Sequence, residues 1–408
     1  MGRLSRAESQ ELNRARVLAA AMEEFSERGF RDAKIDVIAE RAELTRGGVY
    51  SNFPGKRALY FAVLADLAER AAGSPDSDSA DRAPGSPRPG SSRSDPAGRA
   101  SGPSHPGSAN SGSADGAPGP SHTGRSSPGD AARQALGAFA RAWVARLPLA
   151  TDERRDPARL GMDLMPEVLS DEHIRRPYAQ LMKLDAILLG LALERLAPHA
   201  ARMVRVAEAA LTTLHGAGQL AAAAPGFVDP FDIVRVCEEI AGLGLDDVWS
   251  PPHLAYAPRA VPADQAWSPP PSMDAMRGEP ARLTGDGVVA ILGLHRLEAA
   301  EEAVRAAPPG VTVTAVLVTG DPAELAPLAR LTIADLRGCL RQAFAPPAWP
   351  RLQVVYDEAG VLAAAAGVPA VSDGTEVAVR VEAGRITARA DGRGACHAAA
   401  SSGGPAPR

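Results

Sequence analysis

Cysteine is scarce in this chain, and its scarcity limits the chemistry available. Only three occur among 408 residues, and they lie far apart, at Cys237, Cys339 and Cys396. The sequence contains no C-x-x-C pair and no zinc-type spacing of cysteine with histidine. This pattern fits a reducing compartment and argues against a disulfide framework.

The chain also lacks a basic excess and a long apolar run. Its 44 Lys and Arg stand against 49 Asp and Glu, so the net charge of -5 does not by itself indicate nucleic-acid binding. The longest apolar run, "AILLGLAL" at 186–193, is too short to cross a bilayer, and the amino terminus has no apolar signal segment. We therefore expect a cytoplasmic protein with no membrane partner.

Composition divides the chain into five segments. Helical periodicity marks residues 10–72 and returns at 130–249. Between them, residues 73–129 consist mostly of Ser, Gly and Pro, which predicts a disordered linker because there is little to bury. A Pro-rich linker at 250–282 leads to alternating strands and helices at 283–393.

The first segment has the pattern of a helix-turn-helix. A helix near 10–28 is predicted to end at Gly29, which readily adopts a positive φ. A second helix at 34–42 is followed by a short third helix that Thr45 caps and that runs through Asn52. A fourth helix follows in "PGKRALYFAVLADLAER". A helix, a tight turn and a short capped helix are typical of major-groove DNA readers.

Four short sequence motifs in this segment carry a family resemblance. It contains "F-x-x-x-G-F" at the end of helix one, "I-A-x-x-A" in helix two, "G-x-Y-x-x-F" in helix three and "K-x-x-L" at the start of helix four. In these motifs it closely resembles the amino-terminal domain of TetR-family transcriptional regulators. The resemblance implies a homodimeric repressor or activator on a palindromic double-stranded DNA operator. A helical domain would dimerise and sense a small-molecule effector, and of the two signs of regulation we favour repression.

The resemblance also assigns residues to the DNA. Those at matching positions are Arg46, Gly47, Gly48, Tyr50 and Asn52, with Lys56 at a phosphate. Residue chemistry adds hydroxyls at Thr45 and Ser51, and a second phosphate-binding lysine at Lys34. Arg46 is the main candidate for reading guanine, although an isolated arginine is more often a solvated surface residue. Tyr50 is predicted to serve both packing and phosphate contact.

Three residues depart from the usual family pattern, and two glycines stand out. The departures are Lys34 at the start of helix two, Asp36 beside it, and Glu43 in the turn, where the family usually has glycine. The adjacent Gly47 and Gly48 would weaken helix three, and we interpret them as positions where the DNA backbone approaches closely.

The second helical segment is predicted to bind the effector and to dimerise. Asp130 caps its first helix, further helices run near 171–196 and 200–223, and Asp229 with Pro230 opens the last one. Weak candidates for the ligand cavity are Trp143, Tyr178 and His215, with Met162, Met165 and Met182. Simple core packing is the alternative for each of them. The long linker before this segment would loosen its coupling to the DNA head unless the helices pack directly.

The last segment has the order β-α-β-α-β-α-β-β, which predicts a mixed sheet with helices on its faces. Its hairpin turns at Ala383 and Gly384. In "VVYDEAGVLAAAAGV" and "TEVAVRVEAGRI" it resembles thioredoxin-like proteins, but no cysteine stands where their C-x-x-C would fall. We expect Cys339 to be buried and Cys396 to be an incidental exposed thiol beside His397.

These features together predict a non-enzymatic regulator without cofactor or metal. The fold is expected to be multidomain: an all-α TetR-like helix-turn-helix, a helical ligand and dimerisation domain, and an α/β thioredoxin-like domain. The alternative is a redox-responsive regulator, or an oxidoreductase, acting through the last domain.

Overall fold

The computed structural model describes residues 5–73, 128–147, 160–196, 202–251 and 258–402. The disordered linker predicted at 73–129 lies outside these ranges except at its two ends. The described residues before and after it cluster into one compact unit. Within the described residues, no helix is long and apolar enough to cross a membrane.

Four helices build the amino-terminal region, residues 5–73: α1 (Arg6–Asp32), α2 (Ile35–Arg41), α3 (Arg46–Tyr50) and α4 (Lys56–Gly73). The first helix begins earlier than predicted because Ser5 and Glu8 form a capping box. Gly29 has the expected positive φ, +75°, but one further helical turn follows it. The core residues Val17, Phe25 and Ile38 are buried between these helices.

Five helices form the described part of the middle region: α5 (Pro128–Val144), α6 (Leu164–Ser170), α7 (Glu172–Leu196), α8 (Val204–Ala223) and α9 (Pro230–Ile240). The predicted start of α9 is confirmed, since the Asp229 carboxylate accepts a hydrogen bond from the Phe231 N–H. The start predicted at Asp130 is wrong by two residues, because α5 begins at Pro128.

Eight strands and four helices follow within residues 258–402. The strands are β1 (Val261–Ala266), β2 (Met273–Asp274), β3 (Glu279–Pro280), β4 (Gly287–Gly293), β5 (Thr312–Val318), β6 (Leu352–Tyr356), β7 (Glu376–Glu382) and β8 (Arg385–Asp391). The helices are α10 (Ala299–Ala306), α11 (Pro322–Ala343), α12 (Val361–Ala365) and α13 (Ala395–Ser401).

Six of the strands form one mixed sheet in the order β1-β8-β7-β4-β5-β6. Strands β4, β5 and β6 are parallel, and the other neighbours are antiparallel. Alternate residues of β4 face opposite sides of the sheet: Ala290 joins the large helical core, whereas Ile291 joins a smaller core that includes Trp267. The prediction of a mixed sheet with helices is confirmed, and the likeness to thioredoxin-like proteins stays a prediction.

The region predicted as a Pro-rich linker, 250–282, contributes structure of its own. It supplies β1 at the edge of the main sheet and the small β2–β3 pair. The Trp267 indole N–H donates to the Leu283 carbonyl from a buried position. Further along, α11 begins at Pro322, about three turns before the helix expected in "ADLRGCLRQAF", because Asp321 caps it.

The prediction of an exposed Cys396 is wrong. Helix α13 extends the fold past residue 393 and buries this thiol completely. Cys339 is buried as expected, and Cys237 is buried in α9. Burial raises the pKa of Cys237 and Cys339 to about 12, and that of Cys396 well above its usual value. Thiolate is the reactive form, so these positions do not favour the redox alternative.

Helix α4 joins the amino-terminal helices to the α/β region. Eight consecutive residues of it, 58–65, are buried, so the helix is covered all round rather than on one face. It packs on α1 on one side and along α11 on another. The two sides of the predicted linker are therefore in direct contact through α4 and α11.

Three polar contacts reinforce the packing of α4 against α11. Glu69 receives two hydrogen bonds from the Arg330 guanidinium, at 2.7 and 2.8 Å. The Arg341 guanidinium donates to the Ala72 carbonyl. At the other end of α4, Arg57 pairs with Glu324 of α11 and with Asp171, which precedes α7.

Candidate nucleic-acid interface

The turn between α2 and α3 sets the angle between the two helices. Glu43 lies in this turn with φ of +55°, a conformation that favours glycine. The positive φ explains why the family usually has glycine at this position. Glu43 also forms an exposed ion pair with Arg16 at 2.7 Å, which offsets little of the strain.

We expect Glu43→Gly to stabilise the domain by about 0.5–1 kcal/mol. It relieves the left-handed strain and loses only an exposed ion pair. The free energy of unfolding in urea would measure the change. Glu43→Ala is the matched control, since it removes the ion pair and keeps the strain. A stabilisation by alanine equal to that by glycine would show that φ is not the cause.

Thr45 caps α3 as the sequence predicts. Its hydroxyl oxygen accepts a hydrogen bond from the Gly48 N–H at 3.1 Å. Val49 and Phe53 anchor the helix, being 1% and 2% exposed. The inner face of α3 therefore packs against the core of the domain. Its outer surface is formed by Arg46, Gly47 and Tyr50, all of which are exposed.

Neither glycine of α3 is required by the protein itself. A Cβ added to Gly47 would meet only the Thr45 hydroxyl, at 3.8 Å, and one added to Gly48 would meet the Leu44 Cβ at 3.4 Å. Neither residue has a positive φ. Alanine would therefore fit at both positions and would favour the helix.

Arg46 extends from the first turn of α3 with its side chain 62% exposed. Its guanidinium lies 5.7 Å from the centre of the Tyr50 ring and 3.5 Å from the Asp36 carboxylate. The tyrosine is 40% exposed, so it does not belong to the core. Asp36 thus places a negative charge beside the main candidate for base reading.

We expect Asp36→Asn to raise DNA affinity about three- to fivefold, because it removes repulsion of the phosphates and releases Arg46. Fluorescence anisotropy with labelled operator DNA would measure the effect. The gain should shrink as salt rises from about 0.05 to 0.2 M, since it is electrostatic. An unchanged affinity at low salt would contradict the placement of Asp36 near DNA.

Ser51 and Asn52 lie at the end of α3, and both side chains form hydrogen bonds with its backbone. The Ser51 hydroxyl and the Asn52 amide both donate to the Gly48 carbonyl, each at 2.8 Å. Reading adenine requires the donor and the acceptor of one amide, so Asn52 would have to exchange this hydrogen bond for the base. Ser51 remains exposed at the surface.

The two lysines differ in their surroundings. The Lys56 ammonium donates to the Arg31 carbonyl at 2.9 Å and lies 4.8 Å from the Phe30 ring centre, so it ties α4 to the end of α1. Lys34 is exposed at the start of α2. Of the two, Lys34 is the better placed to reach a phosphate, because Lys56 would have to give up its contact with Arg31.

Three acidic residues of α1 form ion pairs with arginines. Arg41 pairs with Glu23, Glu24 and Glu27, and Glu24 also pairs with Arg28. The buried Glu24 further accepts a hydrogen bond from the Lys34 N–H. These carboxylates therefore stabilise the contact between α1 and α2.

A cavity of about 520 Å³ lies between α7 and α8 in the middle region. Four of the predicted residues line it: Met165, Tyr178, Met182 and His215. Trp143 does not line it but packs edge-on against His215, with ring centres 4.6 Å apart, and Met162 is 39% exposed elsewhere.

Most of this cavity is apolar, with a charged pair at its wall. Lys183 and Glu208 form an ion pair across it. Burial lowers the pKa of His215 to about 4, so the imidazole is neutral at pH 7. The volume of the cavity lies within the range of small-molecule sites, and the cavity wall suits an apolar ligand with a few polar groups.

One described group of side chains has metal-ligating spacing. Atoms of His173, Asp321 and Glu324 lie within 4.8 Å of one another. Glu324 is already paired with Arg57, and Asp321 caps α11. We therefore interpret this group as part of the ion-pair network at the end of α4.

The geometry defines a helix-turn-helix domain of the DNA-binding class at the amino terminus. Residues 17–63 match the family described as bacterial regulatory proteins, tetR family. The match assigns a TetR-type domain to this part of the chain. The match begins within α1 and ends within α4, so it concerns the reading domain alone.

Individual relatives agree with the family match. The HTH-type transcriptional regulator SrpR of Pseudomonas putida is 46% identical over 65 residues, covering 16% of this chain and 30% of SrpR. The uncharacterized HTH-type transcriptional regulator TtgW, also of Pseudomonas putida, is 46% identical over 65 residues, covering 16% of this chain and 48% of TtgW. The chain thus matches less than half the length of each.

A solved structure of a TetR-like transcriptional regulator from Rhodococcus sp. RHA1 is also similar. It is 19% identical, with a TM-score of 0.28, and the match covers 60% of this chain and 99% of that one.

Proposed function

We propose that this protein is a sequence-specific transcriptional repressor that binds a palindromic operator as a homodimer and is released by a small-molecule effector. The observation that carries the proposal is the outer surface of α3. It joins an exposed Arg46 to a Gly47 that the protein's own packing does not require. Such a surface suits a major groove, where the backbone must approach the base edges closely.

Dimerisation is supported by apolar side chains around α8 and α9. Phe227 and Phe231 are 73% and 77% exposed, and Leu220, Val236 and Leu243 are also exposed nearby in the chain. A second copy of the chain would bury these side chains through a self-complementary contact. Two reading helices would then contact half-sites about one helical turn apart.

Effector control is supported by the position of α7. One stretch of α7 lines the 520 Å³ cavity through Tyr178 and Met182. Asp171, directly before the helix, pairs with Arg57 of α4 at 2.9 Å. A ligand that shifts α7 would therefore act on the helix that carries the DNA-reading domain, which is a direct path for coupling.

The proposal is tested by DNA binding of the purified full chain. Genomic footprinting would identify the operator, and gel shifts with DNA from beside its own gene would measure the affinity. Sedimentation would report whether two chains occupy one site. Failure to select any sequence from the genome, with the chain folded, would refute the proposed regulator.

We expect Arg46→Ala to weaken operator binding about tenfold, the value of one good base contact. Discrimination between operator and mutated half-sites should fall in parallel. The control is Arg393→Ala, an exposed arginine after β8, which should bind normally. Equal affinities for the two variants would show that α3 does not read the bases through Arg46.

A further inference from the structure

A second cavity, of about 510 Å³, lies far from α3 in the chain and is lined by different residues from those of the effector cavity. It is formed by the end of α7, the β2–β3 pair and the amino ends of β5 and β6. Four arginines line it: Arg195, Arg277, Arg282 and Arg351. Among the described residues only two acidic ones do so, in a chain whose net charge is -5.

The positive charges of this cavity are poorly compensated. The Arg195 guanidinium donates to the Pro347 carbonyl, and that of Arg277 to the Pro350 carbonyl, so each has a neutral hydrogen-bond acceptor. The Arg277 Nε lies 3.9 Å from the Asp274 carboxylate. Within the part of the chain that the structure describes, the side chains of Arg282 and Arg351 have no carboxylate oxygen within 4.0 Å.

These guanidinium groups also act on one another. The pKa of Arg195 is lowered, first by partial burial and then by the positive charges of Arg351 and Arg277. Like charges held together are unfavourable unless an anion joins them. Guanidinium groups bind phosphate and carboxylate oxygens in pairs, so an oxyanion would suit this cluster of arginines.

Buried polar residues fix the cavity in place. The Gln353 amide donates to Thr314 and accepts from the Arg282 N–H, both at 2.9 Å. Asp274 accepts from the N–H groups of Met276 and Val354 while almost fully buried. The Asp274 carboxylate therefore holds the β2–β3 turn against β6, and the cavity is a preformed part of the fold.

We propose that this cavity binds a small polyanion carrying two or more phosphate or carboxylate groups. The volume suits a small metabolite. Four guanidinium groups around one space match two or more anionic groups rather than one. The site shares no lining residue with the helix-turn-helix or with the cavity between α7 and α8, so it gives the α/β region a ligand of its own.

The test is calorimetric titration of the full chain at about 0.15 M salt, with pyrophosphate and with citrate as probes. We expect saturable binding of at least one, and preference between them identifies the anionic group. Arg282→Ala and Arg351→Ala should each weaken binding about fivefold or more, and Arg351→Lys should weaken it less. Both arginines are exposed, so the variants should remain folded.

The matched control is Arg393→Ala, since this exposed residue follows β8 at the opposite end of the sheet. It should bind both probes as the unaltered chain does. The proposal is overturned if neither anion binds saturably, or if the Arg282→Ala/Arg351→Ala double variant binds as tightly as the control. It is also overturned if that double variant loses operator affinity while no anion binds, since the arginines would then contact DNA phosphates. No operator is needed for the titrations, so they are independent of the proposed regulator function.

Discussion

Replacing Gly47 with alanine is expected to weaken operator binding about thirtyfold, or roughly 2 kcal/mol, while leaving the protein at least as stable. The added methyl group meets nothing closer than 3.8 Å within the protein. Alanine also favours a helix over glycine by about 0.5–1 kcal/mol. The only cost arises where the surface of α3 meets the DNA backbone or a base edge.

The prediction is specific because the substitution should lower the affinity for DNA without lowering the stability of the protein. Urea unfolding measures the stability, and fluorescence anisotropy with operator DNA measures the affinity. The control is Gly73→Ala at the end of α4, where a Cβ also meets open space. It should leave DNA binding unchanged. If Gly47→Ala bound DNA as well as Gly73→Ala does, the double glycine would have no role in close approach.

Reversing the charge of Glu69 is expected to destabilise the protein by about 2–3 kcal/mol and to weaken DNA binding with it. Glu69→Arg would place two guanidinium groups face to face at the α4–α11 contact, where both side chains are about two-thirds buried. Because α4 also packs on α1, a shift of α4 would displace the reading domain.

A double-mutant cycle tests this contact directly. Glu69→Arg combined with Arg330→Glu restores opposite charges and should recover at least about 1 kcal/mol of the loss. Recovery will be incomplete because Glu358 lies 3.7 Å from Arg330. The control is Arg70→Ala, whose side chain is 66% exposed and whose loss should change stability by less than about 0.5 kcal/mol. Additive effects of the two reversals would mean that the helices do not communicate through this pair.

Much of the candidate site was predictable because its signals are local. Thr45 as a cap, Gly29 as a positive-φ position and Asp229 as the start of α9 each depend on neighbours within about four residues. The hairpin turn at Ala383 and Gly384 was equally predictable from the sequence, and both residues have a positive φ. Such features follow from backbone geometry and short-range hydrogen bonds.

Other features had no local signal. The sequence predicts α4 as a helix but not its partner α11, since about 250 residues separate the two helices. Cys396 looked like part of a frayed tail, but α13 packs on the sheet and buries it. Trp143 and His215 were expected to line a cavity together, and only the packing of α5 shows that Trp143 lies behind His215.

The sequence alone therefore determined the helices and caps of the amino-terminal domain and its resemblance to TetR-type domains, and from these we predicted the residues that would contact DNA. The tertiary structure decided what that domain is attached to and where charges gather. Arg195, Arg277, Arg282 and Arg351 come from distant parts of the chain and meet in one cavity. Caps and periodicity are fixed by interactions within a few residues, whereas convergence of distant side chains depends on the path of the whole chain.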